Sequence, residues 1–145
     1  MQGTTNLGLL YPRDENFELC AYTDANWVGD VDDRKSTTSG VFFLGSRLIS
    51  WLSKKQSCTS LSTIEIEYVS ATTNCTHVLW LKQMLKDIKV KCKEPITIYC
   101  DNTTSIDISK NPVLHSKTKH VSIKLNFLRE KVEEKEIKLV YVNTK

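Results

Sequence analysis

Two short apolar segments of the sequence each run directly into an aspartate, and this pattern constrains the fold more than any other feature. The segment "FELCAYTD" ends at Asp24, and the segment "ITIYCD" ends at Asp101. Short, nearly continuous apolar runs are typical of strands in a sheet that is covered on both faces. An unpaired aspartate at the mouth of such a strand is costly to desolvate, so we expect both aspartates to serve a function.

The remaining periodicity predicts an α/β domain with the element order β-β-β-α-β-α-α-β and a mixed sheet. After a first strand over 17–24, two strands at 41–44 and 48–52 surround the turn "GSR". Helical spacing then runs from about Ser60 to Lys89, either unbroken or interrupted near "TTNCT", where helix propensity is weak. A strand ending at Asp101, a short helix, a basic loop, an amphipathic helix and a last strand, "KLVYVNT", complete the order.

Composition narrows the class of protein. With 145 residues, the chain is long enough for one domain with a real core, and we interpret 1–16 as a lead-in segment and 17–145 as the domain. The five cysteines are scattered without a CxxC pair, which favours small core residues over disulfides or a zinc site. No apolar run is long enough for a membrane helix and the start lacks a signal-peptide pattern, so we expect an intracellular protein, cytoplasmic or nuclear, with no membrane partner.

Acidic side chains also occur at the start of the long helix. Glu65 and Glu67 lie in "STIEIEY", and Glu67 shares a helical face with apolar residues. Carboxylates gathered from two strand ends and this helix would repel one another without a cation, and hard oxygen ligands suit Mg²⁺. The alternative interpretation is that Asp24 caps a turn, Asp101 caps the next helix and Glu67 is a partly solvated helix residue.

Six sequence blocks resemble, in order, the RNase H domain of copia-type LTR retrotransposon polyproteins. The resemblance covers almost the whole chain. The blocks are "YTDANWVGDVDDRKSTTSGVFFLG", "ISWLSKKQ", "LSTIEIEYVSA", "IYCDNTTSI", "NPVLHSKTKH" and "YVNTK".

The resemblance implies an RNase H-like fold, a five-stranded mixed sheet flanked by helices, and cleavage of the RNA strand of RNA–DNA hybrids beside a reverse transcriptase domain of the same polyprotein. By motif, the catalytic and metal-ligating residues would be Asp24, Glu67 and Asp101, with Glu65 as the competitor for the second place. Asp24 would be shared by two Mg²⁺ ions, with Mn²⁺ as a possible substitute. Two such ions activate water and stabilise the departing oxygen in phosphodiester cleavage.

The same resemblance places the family's fourth carboxylate beyond Lys145, in a segment similar to "DQLADIFTK". We therefore expect that the domain as given lacks the segment with this carboxylate and hydrolyses RNA weakly, or not at all, in Mg²⁺. The alternative is a catalytically dead RNase H-like module that binds RNA–DNA hybrid or a protein partner.

Several polar residues are candidates for substrate contact. Lys117, Lys119 and His120, in the block "HSKTKH", are suited to phosphate contacts, or form only a solvated basic loop. Zinc binding by the histidines is disfavoured because their spacing matches no standard ligand set. Asn102 is suited either to the RNA 2′-hydroxyl or to capping the helix that follows it.

Overall fold

A five-stranded mixed sheet forms the centre of the molecule. The computed structural model describes residues 6–13, 17–26, 36–56, 63–101, 103, 106 and 119–143. Within this part of the chain the elements are β1 (Leu19–Asn26), β2 (Thr37–Leu44), β3 (Arg47–Lys55), α1 (Thr63–Asp87), β4 (Ile96–Cys100), α2 (Lys119–Glu133) and β5 (Ile137–Tyr141).

The strand order is β3-β2-β1-β4-β5. Strands β1, β2 and β3 pair antiparallel as a meander, whereas β4 is parallel to both β1 and β5. Helix α1 packs against β1 and β2, and α2 packs against α1 and β5. The predicted five-stranded mixed sheet is confirmed.

The sheet has one buried and one exposed face in the described part of the chain. Leu19 and Ala21 of β1 are fully buried with the core residues of α1, whereas Tyr22 is 41% exposed on the other face. There Tyr22 stacks on Tyr99 of β4 with 4.7 Å between ring centroids. The expectation that β1 is covered on both faces is therefore wrong, because α1 lies on the side to which Ala21 points.

The antiparallel strands are longer than the apolar pattern indicated. Strand β2 begins at Thr37 rather than at Val41, and its alternate residues Thr38, Gly40 and Phe42 are buried. Threonine fits a pleated, half-buried surface as well as apolar residues do, so the strand continues through the polar stretch. Pairing with β2 extends β1 to Asn26, so Asp24 lies within the strand and is not its last residue.

Helix α1 is unbroken across "TTNCT". The hydroxyl groups of Thr72, Thr73 and Thr76 each donate to the carbonyl four residues earlier, which satisfies these groups within the helix. Packing of the buried face on the sheet outweighs weak propensity.

The remaining sequence expectations concern the cysteines, the lead-in segment and the membrane. The prediction that the cysteines are core residues is confirmed for Cys75 and Cys100, which are buried free thiols. Cys20 and Cys92 are free thiols that are only half-buried, and Cys58 lies outside the described residues. The described part of the lead-in contacts β3, since the Tyr11 hydroxyl donates to the carbonyl of Leu48. Among the described helices, none has the length and apolar character that crossing a membrane requires.

Candidate active site

Asp24 and Asp101 lie side by side at one end of the sheet. Residues Thr23 and Cys100 are paired in the parallel register of β1 and β4, and each aspartate is the next residue along its chain. Asp24 is exposed and Asp101 is half-buried. Parallel pairing therefore brings the two carboxylate-bearing positions together, although they are 77 residues apart in sequence.

Glu67 reaches the same end of the sheet from the start of α1. Its side chain is half-buried, and its pKa is raised from 4.5 to about 7, first by burial and then by the negative charges of Asp101 and Asp24. A carboxylate that senses both aspartates is within electrostatic range of each of them. Glu65 is also half-buried, but Glu67 is the glutamate whose pKa shows this coupling to the pair.

Positive charge does not compensate these three carboxylates within the described part of the chain. No ion pair of Asp24, Glu67 or Asp101 is found there, and the hydrogen bonds found at Asp24 go to its backbone carbonyl. Like charges gathered without a counter-ion disfavour ionisation. A bound cation would therefore stabilise the ionised form of these three carboxylates.

The donor chemistry fits a divalent cation, although the site is not preassembled. Among the described residues, no group of three or more His, Cys, Asp or Glu side chains is placed so that it could hold a metal ion. The three groups nevertheless offer only carboxylate oxygens, the ligands that Mg²⁺ and Mn²⁺ prefer. Ligand binding at this end of the sheet would require the carboxylates to draw closer.

The side chains of the other predicted site residues are outside what the structure describes. Asn102 and Lys117 lie outside the described residues. Lys119 and His120 are the first residues of α2, but their side chains are not among those described. Their roles in substrate contact stay predictions.

Sequence reasoning missed a set of polar residues between α1 and the sheet. This buried polar layer consists of Thr23, Thr38, Gln56, Ser70 and Asn74, each less than 9% exposed. A sequence signal existed, since Ser70 and Asn74 follow Glu67 at the i+3 and i+7 positions of one helical face.

The buried polar layer is joined to backbone at the candidate ligands. The Ser70 hydroxyl donates to the carbonyl oxygen of Asp24 at 3.0 Å. The Gln56 side-chain amide donates to the carbonyl of Ile66, the residue before Glu67, at 3.2 Å. Buried side chains thus hold the backbone of Asp24 itself and the backbone next to Glu67.

A groove leads from Asp24 along the exposed face of the sheet. Its lining is aromatic and aliphatic, with contributions from Tyr22, Val41, Trp51 and Tyr99. Trp51 is 68% exposed. The acidic end of the sheet therefore adjoins an open, largely apolar groove at Asp24.

Comparison with known proteins identifies homologues over almost the whole chain. The chain is 38% identical over 144 residues to a retrovirus-related Pol polyprotein from transposon TNT 1-94 of Nicotiana tabacum, covering 99% of the chain and 11% of that protein. It is 36% identical over 144 residues to the corresponding polyprotein from transposon RE1 of Arabidopsis thaliana, covering 99% of the chain and 10% of that protein. The chain therefore spans about a tenth of each relative's length. No family model matches the chain.

Solved structures share the fold at low sequence identity. A ribonuclease H1 isolated from compost, LC11-RNase H1, superposes with a TM-score of 0.63 at 14% identity, covering 88% of this chain and 86% of that one. The same protein in complex with an RNA/DNA hybrid gives a TM-score of 0.58 at 15% identity, with the same coverage. A foamy viral protease-reverse transcriptase in complex with an RNA/DNA hybrid gives 0.60 at 11% identity, covering 100% of this chain and 21% of that one.

Proposed function

We propose that this chain, which is homologous to retrovirus-related Pol polyproteins of plant transposons and has the RNase H fold, is a retroelement ribonuclease H that hydrolyses the RNA strand of RNA–DNA hybrids with divalent metal ions. The observation that carries this proposal is the gathering of Asp24, Glu67 and Asp101 at one end of the sheet, with the pKa of Glu67 raised to about 7. A structural role alone does not require three like charges from three separate elements to meet.

The chain's own residues would hold the metal and prepare the site. Asp24 and Asp101 offer oxygens from adjacent strands, where the sheet fixes their backbone, and Glu67 offers a third from α1. Glu67 must lose its proton before it can act as a ligand, so metal affinity should rise with pH up to about 7. When bound, divalent ions supply an activated water and charge stabilisation at the phosphate.

The comparisons support the choice of substrate and partner. Structures with the same fold have been solved with RNA/DNA hybrid bound, both as a separate ribonuclease H1 and within a protease-reverse transcriptase. We propose the hybrid as substrate and the reverse transcriptase region of the same polyprotein as the natural neighbour of this domain. Mg²⁺ is the proposed physiological ion and Mn²⁺ its substitute.

A cleavage assay on an end-labelled RNA–DNA hybrid, run with Mg²⁺ and Mn²⁺ in parallel, tests the proposal. We expect the more readily measured cleavage in Mn²⁺, and there the Asp24→Asn chain should lose at least about a hundredfold in rate. Losing a residue that only supports a metal ligand already costs about 10–100-fold, and Asp24 is a proposed ligand itself. Asp87→Asn is the matched control, because Asp87 is an exposed aspartate at the far end of α1, where it accepts a hydrogen bond from Gln83. Asp87→Asn should cleave as the unaltered chain does.

Two results would count against the proposal. Equal cleavage by the unaltered chain and Asp24→Asn would place the chemistry elsewhere. Salt-sensitive binding of the hybrid without cleavage in either metal would indicate a module that contacts phosphates but does not hydrolyse them.

A further inference from the structure

The buried polar layer contains a directed chain of hydrogen bonds that ends at Asp24. The side-chain amide of Asn74 donates to Thr23 Oγ1 at 2.7 Å. Ser70 Oγ donates to the carbonyl oxygen of Asp24 at 3.0 Å, and Thr23 Oγ1 lies 2.9 Å from Ser70 Oγ. All three contacts link α1 to β1.

Counting hydrogens fixes the direction of the middle contact. Each hydroxyl group carries one hydrogen. Ser70 uses its hydrogen on the carbonyl of Asp24, so Thr23 must be the donor between the two hydroxyls. The order is therefore Asn74 to Thr23 to Ser70 to the Asp24 carbonyl. Thr23 and Ser70 each accept a hydrogen bond from the residue before and donate one to the next.

Close approach of α1 to β2 makes this chain possible. A Cβ atom on Gly40 would lie 1.8 Å from Asn74 Oδ1, so only glycine leaves room for the amide. The same amide nitrogen lies within hydrogen-bonding distance of the carbonyls of Ser39, at 3.1 Å, and Ser70, at 3.0 Å. Asn74 thus contacts β1 through Thr23 and β2 through the carbonyl of Ser39.

Packing alone does not explain these residues. Asn74 is fully buried, and its Oδ1 has no hydrogen-bond partner within the described part of the chain. Leaving a buried acceptor unsatisfied costs stability, which an apolar side chain of similar size would avoid. The polar chain therefore has a use other than filling space, and it ends at the backbone of an exposed carboxylate residue.

We propose that Asn74, Thr23 and Ser70 are positioning residues that fix Asp24 relative to α1, and so set the spacing between Asp24 and Glu67. Ser70 is three residues after Glu67, so the helical turn that carries one candidate ligand hydrogen-bonds the backbone of another. This inference rests on the proposed function, since it concerns the geometry of the same carboxylate site. It assigns to the three residues the supporting role that outer-shell partners have at metal sites.

Titration with Mn²⁺, followed by the electron paramagnetic resonance signal of the free ion, tests the inference without requiring turnover. Ser70→Ala and Thr23→Val should each weaken Mn²⁺ binding about tenfold, as the loss of supporting residues does at metal sites. Thr23→Ser retains the hydroxyl and should bind nearly as the unaltered chain does. Thr73→Val is the matched control, because the Thr73 hydroxyl donates to the carbonyl of Val69 within α1. The Mn²⁺ affinity of this variant should change by less than about twofold.

The comparison of variants separates the two proposals. If Asp24→Asn loses Mn²⁺ binding but Thr23→Val and Thr23→Ser bind equally well, the positioning inference is wrong and the proposed function stands. If Asp24→Asn binds Mn²⁺ as the unaltered chain does, or if the unaltered chain binds none, both are wrong. Ser39→Ala removes a second donor to the Asp24 carbonyl, at 3.2 Å and from a half-buried side chain, and tests the support of that carbonyl should Ser70→Ala not fold.

Discussion

The two ends of the sheet hold the same type of side chain in opposite electrostatic environments. At one end, burial and two neighbouring aspartates raise the pKa of Glu67 to about 7. At the other end, hydrogen bonds from Lys82 and Lys131 lower the pKa of Glu136 to about 2. The pKa values of two glutamates of one chain are therefore shifted in opposite directions, because two lysines pair with Glu136 whereas no lysine or arginine pairs with Glu67 among the residues that the structure describes.

The compensated end is organised for stability. Lys82 of α1 lies 2.8 Å from Glu136 and 2.7 Å from Glu94, and Lys131 of α2 lies 3.1 Å from Glu136. The backbone carbonyl of Glu136 also accepts from the amide of Ile96 at the start of β4. One carboxylate thus joins both helices to the entry of the central parallel strand.

The difference shows how this fold separates stability from chemistry. Where acids are matched by lysines, each carboxylate stays ionised and holds elements together. Where acids meet only one another, ionisation is disfavoured until a cation arrives. The end of the sheet with Asp24, Glu67 and Asp101 is therefore the candidate for the functional site.

Gly40→Ala should give the largest disturbance of the carboxylate end. The added Cβ would lie 1.8 Å from Asn74 Oδ1 and force α1 away from β2. We expect a loss of about 1–3 kcal/mol in the free energy of unfolding, the usual cost of overpacking. Urea denaturation with Gly8→Ala as control measures this, because nothing lies within 4 Å of a Cβ at Gly8. Equal stability of the two variants would show that the contact with Asn74 is not tight.

Glu136→Gln should have a smaller effect, confined to the compensated end. We expect a loss of about 1 kcal/mol at pH 7, because the side chain is 29% exposed and solvent screens its two ion pairs. The pKa of Glu136 is lower in the folded than in the unfolded state, so its contribution is present above about pH 4.5 and disappears as the pH falls toward 2.

Denaturation of Glu136→Gln and the unaltered chain at several pH values tests this sign. Their stabilities should converge in acid. Glu130→Gln, an exposed acid on α2, is the control and should change little at any pH. A difference for Glu136→Gln that grows in acid would contradict the assignment.

The fold and the positions of the carboxylates were accessible from sequence for different reasons. Short apolar runs predicted the strands and helical spacing predicted α1, because residues such as Phe42 and Cys75 must be buried in a core. Asp24 and Asp101 could be grouped because each follows an apolar strand. The pairing of Thr23 with Cys100, which brings them side by side, required the three-dimensional structure.

Burial of polar residues could not be predicted in the same way. Ser70 and Asn74 share a helical face with Glu67, but a polar residue on such a face is equally suited to solvent, so the spacing alone does not show that they enter the core. Their burial depends on acceptors from β1 and β2, which lie more than 30 residues away. The exposure of Tyr22 was mispredicted for a related reason, since an apolar strand does not reveal which of its faces a helix will cover.

Titration of Glu67 with and without Mg²⁺ is the most direct test of whether Asp24, Glu67 and Asp101 together bind a divalent cation. Carboxyl ¹³C chemical shifts report its ionisation, and Glu130 in the same spectra is the internal control. Without divalent ions we expect Glu67 to have a pKa of about 7, above the ordinary 4.5. The folded protein should therefore lose stability as the pH rises between these two values. Mg²⁺ should shift the titration of Glu67 to lower pH and leave Glu130 unchanged. A Glu67 that titrates at its ordinary value in the absence of Mg²⁺, or one that saturating Mg²⁺ does not move, would contradict the account.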